Sequence, residues 1–180
     1  MTIKKIHHVA YRCSDARETV EFYKDMLNMD FMLVFAENQV PSTKEPNPYM
    51  HVFLDAGMGN VLAFFELPNS PEMGRDDNTP EWVQHIAFEV ADMEDLIEVK
   101  SKVKAAGLEV LGPIDHSLFK SIYFFDPSGH RLELAVNTPI SQEEMEKLHE
   151  LAPTMLEEWD RTKQPPRHTA WLHENEFGPS

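Results

Sequence analysis

The chain repeats itself, and this constrains its fold more than any other feature. "HHVAYRCSDARETVEFYKDML" near the start is answered later by "QHIAFEVADMEDLIEVKSKVKAAG". With His8 set on His85, His-Val-Ala-Tyr meets His-Ile-Ala-Phe, and Asp15 meets Asp92. A repeat of this kind means one supersecondary unit used twice. Each run reads as a strand followed by a helix. Asp15 and Asp92 suit N-caps, with Glu18 and Asp95 in the first turns. Val20, Tyr23 and Leu27 keep helical spacing, as do Leu96, Val99 and Val103, with Gly107 closing the second helix.

Three strand-like pieces follow each helix. They are "FMLVFAE", "YMHVFLDA" and "NVLAFFEL" in the first half, and "LEVLGP", "KSIYFFD" and "HRLELAV" in the second. Turn signals at Gly57–Gly59 and Pro127–Gly129 separate them. The expected fold is therefore α+β, with one βαβββ module over about 3–67 and another over 82–137 in a single domain spanning 1–138. Loops are expected at 38–48 and 68–81, the second joining the halves. Residues 139–180 lie outside the repeat. Ser141 and Glu144 form a capping-box pattern before Met145, Leu148 and Leu151. Pro153 is expected to open a second short helix, with an extended tail after "KQPPRH".

Charge and composition narrow the function. Lys and Arg total 16 against 31 Asp and Glu, a net charge of -15. Such a chain is a poor partner for nucleic acid or anionic membranes. No segment is long and apolar enough for a signal peptide or a membrane span. The one cysteine, Cys13, cannot form an intrachain disulfide, so a reduced cytoplasmic setting is expected.

The repeat also returns chemistry. A histidine stands at the first strand of each half, His8 and His85, and a glutamate before leucine in each last strand, Glu66 and Glu133. Taken singly, each residue reads as packing or as a half-exposed strand position. Together they form an imidazole–carboxylate set suited to Fe(II), Mn(II), Ni(II) or Zn(II). A bound cation would offset the repulsion and lost hydration of two carboxylates on an apolar sheet. Strand alternation would turn His7 away from His8.

With these positions the chain resembles the vicinal oxygen chelate superfamily, over about residues 3 to 137. That superfamily includes glyoxalase I, extradiol ring-cleavage dioxygenases and fosfomycin-resistance proteins. The resemblance implies paired modules forming a cupped mixed sheet around a metal, with His8, Glu66, His85 and Glu133 at its ligand positions. Glyoxalase I uses four such positions. Extradiol dioxygenases use three, here His8, His85 and Glu133. The stretch His116, "SLFKS", Ile122, Tyr123, "FF", Asp126-Pro127-Ser128-Gly129, "HRL", Glu133 is similar to the extradiol pattern. That likeness implies that His116 and Tyr123 line the pocket and hydrogen-bond the oxygens of substrate and dioxygen. One departure is plain: the acid–base histidine that these dioxygenases carry on the strand before the "QH" ligand is absent from "NVLAFFEL". His51, on the neighbouring strand, is the candidate substitute.

The leading expectation is an extradiol-type dioxygenase acting on a catechol-like small molecule, with Fe(II) or Mn(II), in a homodimer. The rival is a glyoxalase-type lyase or isomerase with a His2Glu2 site and Ni(II) or Zn(II). A third reading, from another class, is a small-molecule-binding protein without turnover.

Overall fold

The computed structural model describes residues 2–173. The first module runs β1 (Val9–Cys13), α1 (Ala16–Leu27), β2 (Asp30–Gln39), β3 (Pro46–Asp55) and β4 (Val61–Glu66). The second runs β5 (Ile86–Glu89), α2 (Met93–Ala105), β6 (Leu111–Asp115), β7 (Phe119–Phe125) and β8 (Arg131–Asn137). Each module is a separate four-stranded mixed sheet, ordered β1-β4-β3-β2 and β5-β8-β7-β6. In both, the first strand lies parallel to the last and the other pairs are antiparallel. The duplicated α+β architecture is thus the one the repeat predicts.

The helix starts follow from their caps. Asp15 accepts from the Glu18 N–H at 2.8 Å, and Asp92 accepts from Glu94 and Asp95. Each cap satisfies amide groups that the first turn leaves without partners. α1 stops at Asn28 in the left-handed region, and α2 is followed by Gly107 at φ +80°.

One core serves both modules. Tyr23 and Phe64 of the first pack in the same cluster as Leu96, Phe124 and Leu134 of the second. Burying each such side chain contributes about 1.5–3 kcal/mol. Polar clasps join the halves beside this core. The Tyr23 hydroxyl donates to Asp126 at 3.0 Å, and the Ser14 N–H donates to Ser128 Oγ at 3.0 Å. His130 Nε2 donates to the Arg12 carbonyl at 2.7 Å.

Beyond the second sheet, α3 (Gln142–Thr162) starts at the expected capping box. It does not break at Pro153, which lies inside one continuous helix. Proline there removes the amide that would bond the His149 carbonyl and crowds that carbonyl, and His149 is exposed to water. No side chain of α3 is fully buried. The following segment is not extended throughout. It folds back, with His168 Nε2 2.8 Å from Glu158, and forms a short 3-10 turn at Ala170–His173. Lys147 sits over the Trp171 ring. The rest of the expected tail, 174–180, lies outside the described residues.

Candidate metal and substrate site

β7 and β8 build the polar part of the second sheet. Their ladder sets Tyr123 opposite Glu133, Ser121 opposite Ala135 and Phe125 opposite Arg131. Alternation sends Leu132 and Leu134 into the core and leaves Arg131 and Glu133 on the other face. Glu133 is 3% exposed. Its Oε1 accepts hydrogen bonds from the Tyr123 hydroxyl at 3.0 Å and from the Ser121 hydroxyl. Its Oε2 lies 2.9 Å from His85 Nε2. His116 Nε2 meets the Tyr123 hydroxyl at 2.9 Å. The second module therefore carries a continuous polar chain: His116, Tyr123, Glu133, His85.

The orientation of His85 has a consequence. Its Nδ1 is 3.1 Å from the Val83 carbonyl, which can only accept. The neutral ring that makes this bond carries its proton on Nδ1 and presents the Nε2 lone pair to a carboxylate oxygen. Two lone pairs at that distance repel unless a proton or a cation lies between them. A carbonyl that fixes the far nitrogen is also how metal-binding histidines are oriented. Burial, together with the Glu133 carboxylate, pushes the Tyr123 phenol up to about 12, so it stays protonated near neutrality.

The first module offers a different set. His8 precedes β1, with its ring 6.3 Å from that of His51 and 5.9 Å from that of Phe53. His7 does not turn away from it: the two Nδ1 atoms are 2.8 Å apart. The strand begins only at Val9, so strand alternation does not govern His7. His51 is buried against Phe65, its Nε2 has no hydrogen-bond partner among the described residues, and burial lowers its pKa. Among the described residues, no three ligand-type side chains gather around one point within the chain. His85 and Glu133 are together, and His8 lies on the other sheet.

Glu66 does not repeat Glu133. The ladders pair Val9 with Leu62 and Ile86 with Leu132, so the position equivalent to Glu133 is Ala63. Glu66 stands three residues further on, opposite Cys13, and its Oε2 accepts from the Ala16 N–H at 2.7 Å. The carboxylate serves the N-terminus of α1. The glutamate-before-leucine pairing in the sequence is a coincidence of local pattern.

Sequence reasoning missed two residues of this face. Ser121 has a signal in "KSIYFF", where it shares the Tyr123 face and is the small hydroxyl among bulky neighbours. The backbone is close there, since a side chain on Gly112 would collide with the Ser121 carbonyl. Arg131 shares the Glu133 face, and its guanidinium lies 4.3 Å from the centre of the Tyr123 ring. A cavity of about 760 Å³ opens beside His85 and Arg131, walled by the linker between the modules, Tyr11 and the β7–β8 turn.

The family model for the Glyoxalase/Bleomycin resistance protein/Dioxygenase superfamily matches residues 5–134. The chain belongs to this superfamily. Within it, the chain is 30% identical over 135 residues to the metallothiol transferase FosB of Staphylococcus haemolyticus, covering 73% of this chain and 83% of that one. It is 29% identical over 88 residues to the putative ring-cleaving dioxygenase MhqA of Bacillus subtilis, covering 49% of this chain and 28% of that one. The fold matches that of a variant of the fosfomycin resistance protein FosX of Listeria monocytogenes complexed with Mn(II) and dihydroxypropylphosphonic acid. The TM-score is 0.55 at 19% identity, covering 80% of this chain and 99% of that one. Superfamily membership fits the duplicated modules, and α3 lies outside the matched residues.

Proposed function

We propose that the chain is a metal-dependent extradiol-type dioxygenase for a catechol-like small molecule, with His8, His85 and Glu133 as ligands. The observation that carries this reading is the polar chain ending with His85 Nε2 2.9 Å from the Glu133 carboxylate. The donor set fits a divalent transition metal, Fe(II) or Mn(II). When bound, the metal supplies Lewis acidity and one-electron chemistry toward O₂. Glu66 is engaged at α1, which favours three ligands over four and weighs against the lyase reading.

The chain's own residues orient the reactants. Tyr123 fixes Glu133 on one side and meets His116 on the other. Its protonated hydroxyl can donate, so it holds a proton rather than removing one. By the likeness to the extradiol pattern, His116 is the group that would hydrogen-bond a substrate oxygen, from beside the Tyr123 hydroxyl. His8 completes the set from a second copy of the chain, because its own sheet does not carry it to His85. The assembly is therefore a homodimer with shared sites.

A second reading, thiol transfer, is favoured by one comparison: FosB aligns with 73% of the chain, MhqA with 49%. Oxygen consumption by the Fe(II)-loaded protein on catechols separates the two. Uptake with a yellow ring-fission product is expected. Loss of free thiol on fosfomycin without oxygen uptake on any catechol would sink the dioxygenase reading.

A further inference from the structure

Arg131 is the unusual charge of this face. The chain carries 31 acidic residues against 16 basic ones, yet among the described residues Arg131 forms no ion pair. The other guanidinium of the same cavity, Arg75, lies over Phe125 and is paired with Glu81. Asp76, also at the cavity, is held by Thr79 and the Asn78 amide within its own loop. Arg131 instead projects from the sheet itself. It lies two residues before Glu133 on the same face and is half-buried against the Tyr123 ring, with His85 lining the same cavity. The cation–π contact with the ring holds the guanidinium in place while its N–H groups keep their donor capacity. A planar fork of that kind matches a carboxylate or phosphonate with two parallel hydrogen bonds.

We infer that the substrate carries an anionic group and that Arg131 is its receptor. Resting on the ring-cleavage reading, this narrows the substrate class to catechols bearing a carboxylate arm. An acidic chain disfavours anions at long range, so an arginine beside the proposed reacting centre acts as a filter as well as an anchor.

The test uses the full chain loaded with Mn(II), and measures binding by calorimetry without oxygen. The probes are dihydroxyphenylacetate, methylcatechol and propylphosphonate. Wild type should bind dihydroxyphenylacetate about tenfold or more tightly than methylcatechol, as expected of one charge-assisted contact. Arg131→Gln should erase that preference, while Arg131→Lys should keep part of it. Under air, Arg131→Gln should raise KM for the carboxylated catechol with kcat nearly constant. Equal affinities in wild type, or a preference that survives Arg131→Gln, would overturn the inference. Failure of both catechols to bind defeats the ring-cleavage reading instead. Propylphosphonate then decides: binding lost in Arg131→Gln retains Arg131 as an anion receptor, and any other result removes it. Equal Mn(II) content and melting temperature in the three proteins guard against a folding effect.

Discussion

Glu133 poses the sharpest physical question, because a carboxylate 3% exposed must be held by something. Two hydroxyls and one imidazole surround it. Glu133→Gln keeps the volume and removes the charge. In the proposed site it should lower metal affinity at least about 100-fold, since even outer-shell changes cost 10–100-fold. Metal content after dialysis against a weak chelator reads this directly, and retention of wild-type affinity would remove Glu133 from the ligand set. Tyr123→Phe makes a different prediction. It strips one donor from Glu133 and one partner from His116, a loss of about 1–3 kcal/mol of stability. Metal content should persist while kcat falls, as measured by single-turnover oxygen uptake. His116, Tyr123 and Glu133 were legible in the sequence because the linear spacing of one hairpin holds them together. Ser121 and Arg131 were not, because their importance comes from sharing a sheet face with residues that only the ladder identifies.

Secondary-structure elements were legible for the same local reasons, and the error over Glu66 occurred where register decides. Caps at Asp15 and Asp92 and the box at Ser141 are signals within a few residues. The match of Glu66 to Glu133 needed the strand pairing, which local pattern does not encode. That correction is testable. Glu66→Gln should weaken the N-terminus of α1 by about 1 kcal/mol, through the lost charge at the helix dipole. Thermal melting should show the loss with metal content unchanged, and a fall in metal content would restore Glu66 as a ligand. The β7–β8 turn carries a second element-scale prediction. Burial raises the Asp126 pKa although the turn amides and Tyr23 donate to it. A raised carboxylate pKa means the folded state holds the proton more firmly than the unfolded chain. Its contribution is fully present below the ordinary Asp value and is lost as pH rises through the folded pKa. The melting advantage of wild type over Asp126→Asn should therefore be largest near the acid end and shrink toward neutral pH. A pH-independent difference between the two proteins would contradict this.

At the scale of the whole molecule, the first sheet is unfinished. β2 is its edge strand, and every one of its ten residues is exposed. Leu33 and Phe35, on the face of Phe53 and His51, are 42% and 57% exposed. A bulge between Phe31 and Leu33 puts Phe31 on the other face with Val34, and these are 46% and 43% exposed. An edge strand that is apolar on both faces invites another surface to pair with it or cover it. The sequence makes the run "FMLVF" visible but cannot say which chain covers it, since burial across copies leaves no local pattern. His8, the proposed ligand missing from the second module's cluster, stands just ahead of β1 of that sheet. One arrangement answers both facts: a twofold pair in which the first module of each copy closes over the second module of the other. Phe35→Asp tests it by placing charge on the apolar face without touching any proposed ligand. Wild type should sediment at twice the chain mass, and the variant at the chain mass. If the site is shared, the monomeric variant should also lose metal affinity together with its partner, although His8, His85 and Glu133 are all intact. A monomer that binds metal as tightly as the wild-type dimer would mean instead that His8 reaches His85 within one chain, by a closure of the two modules on each other.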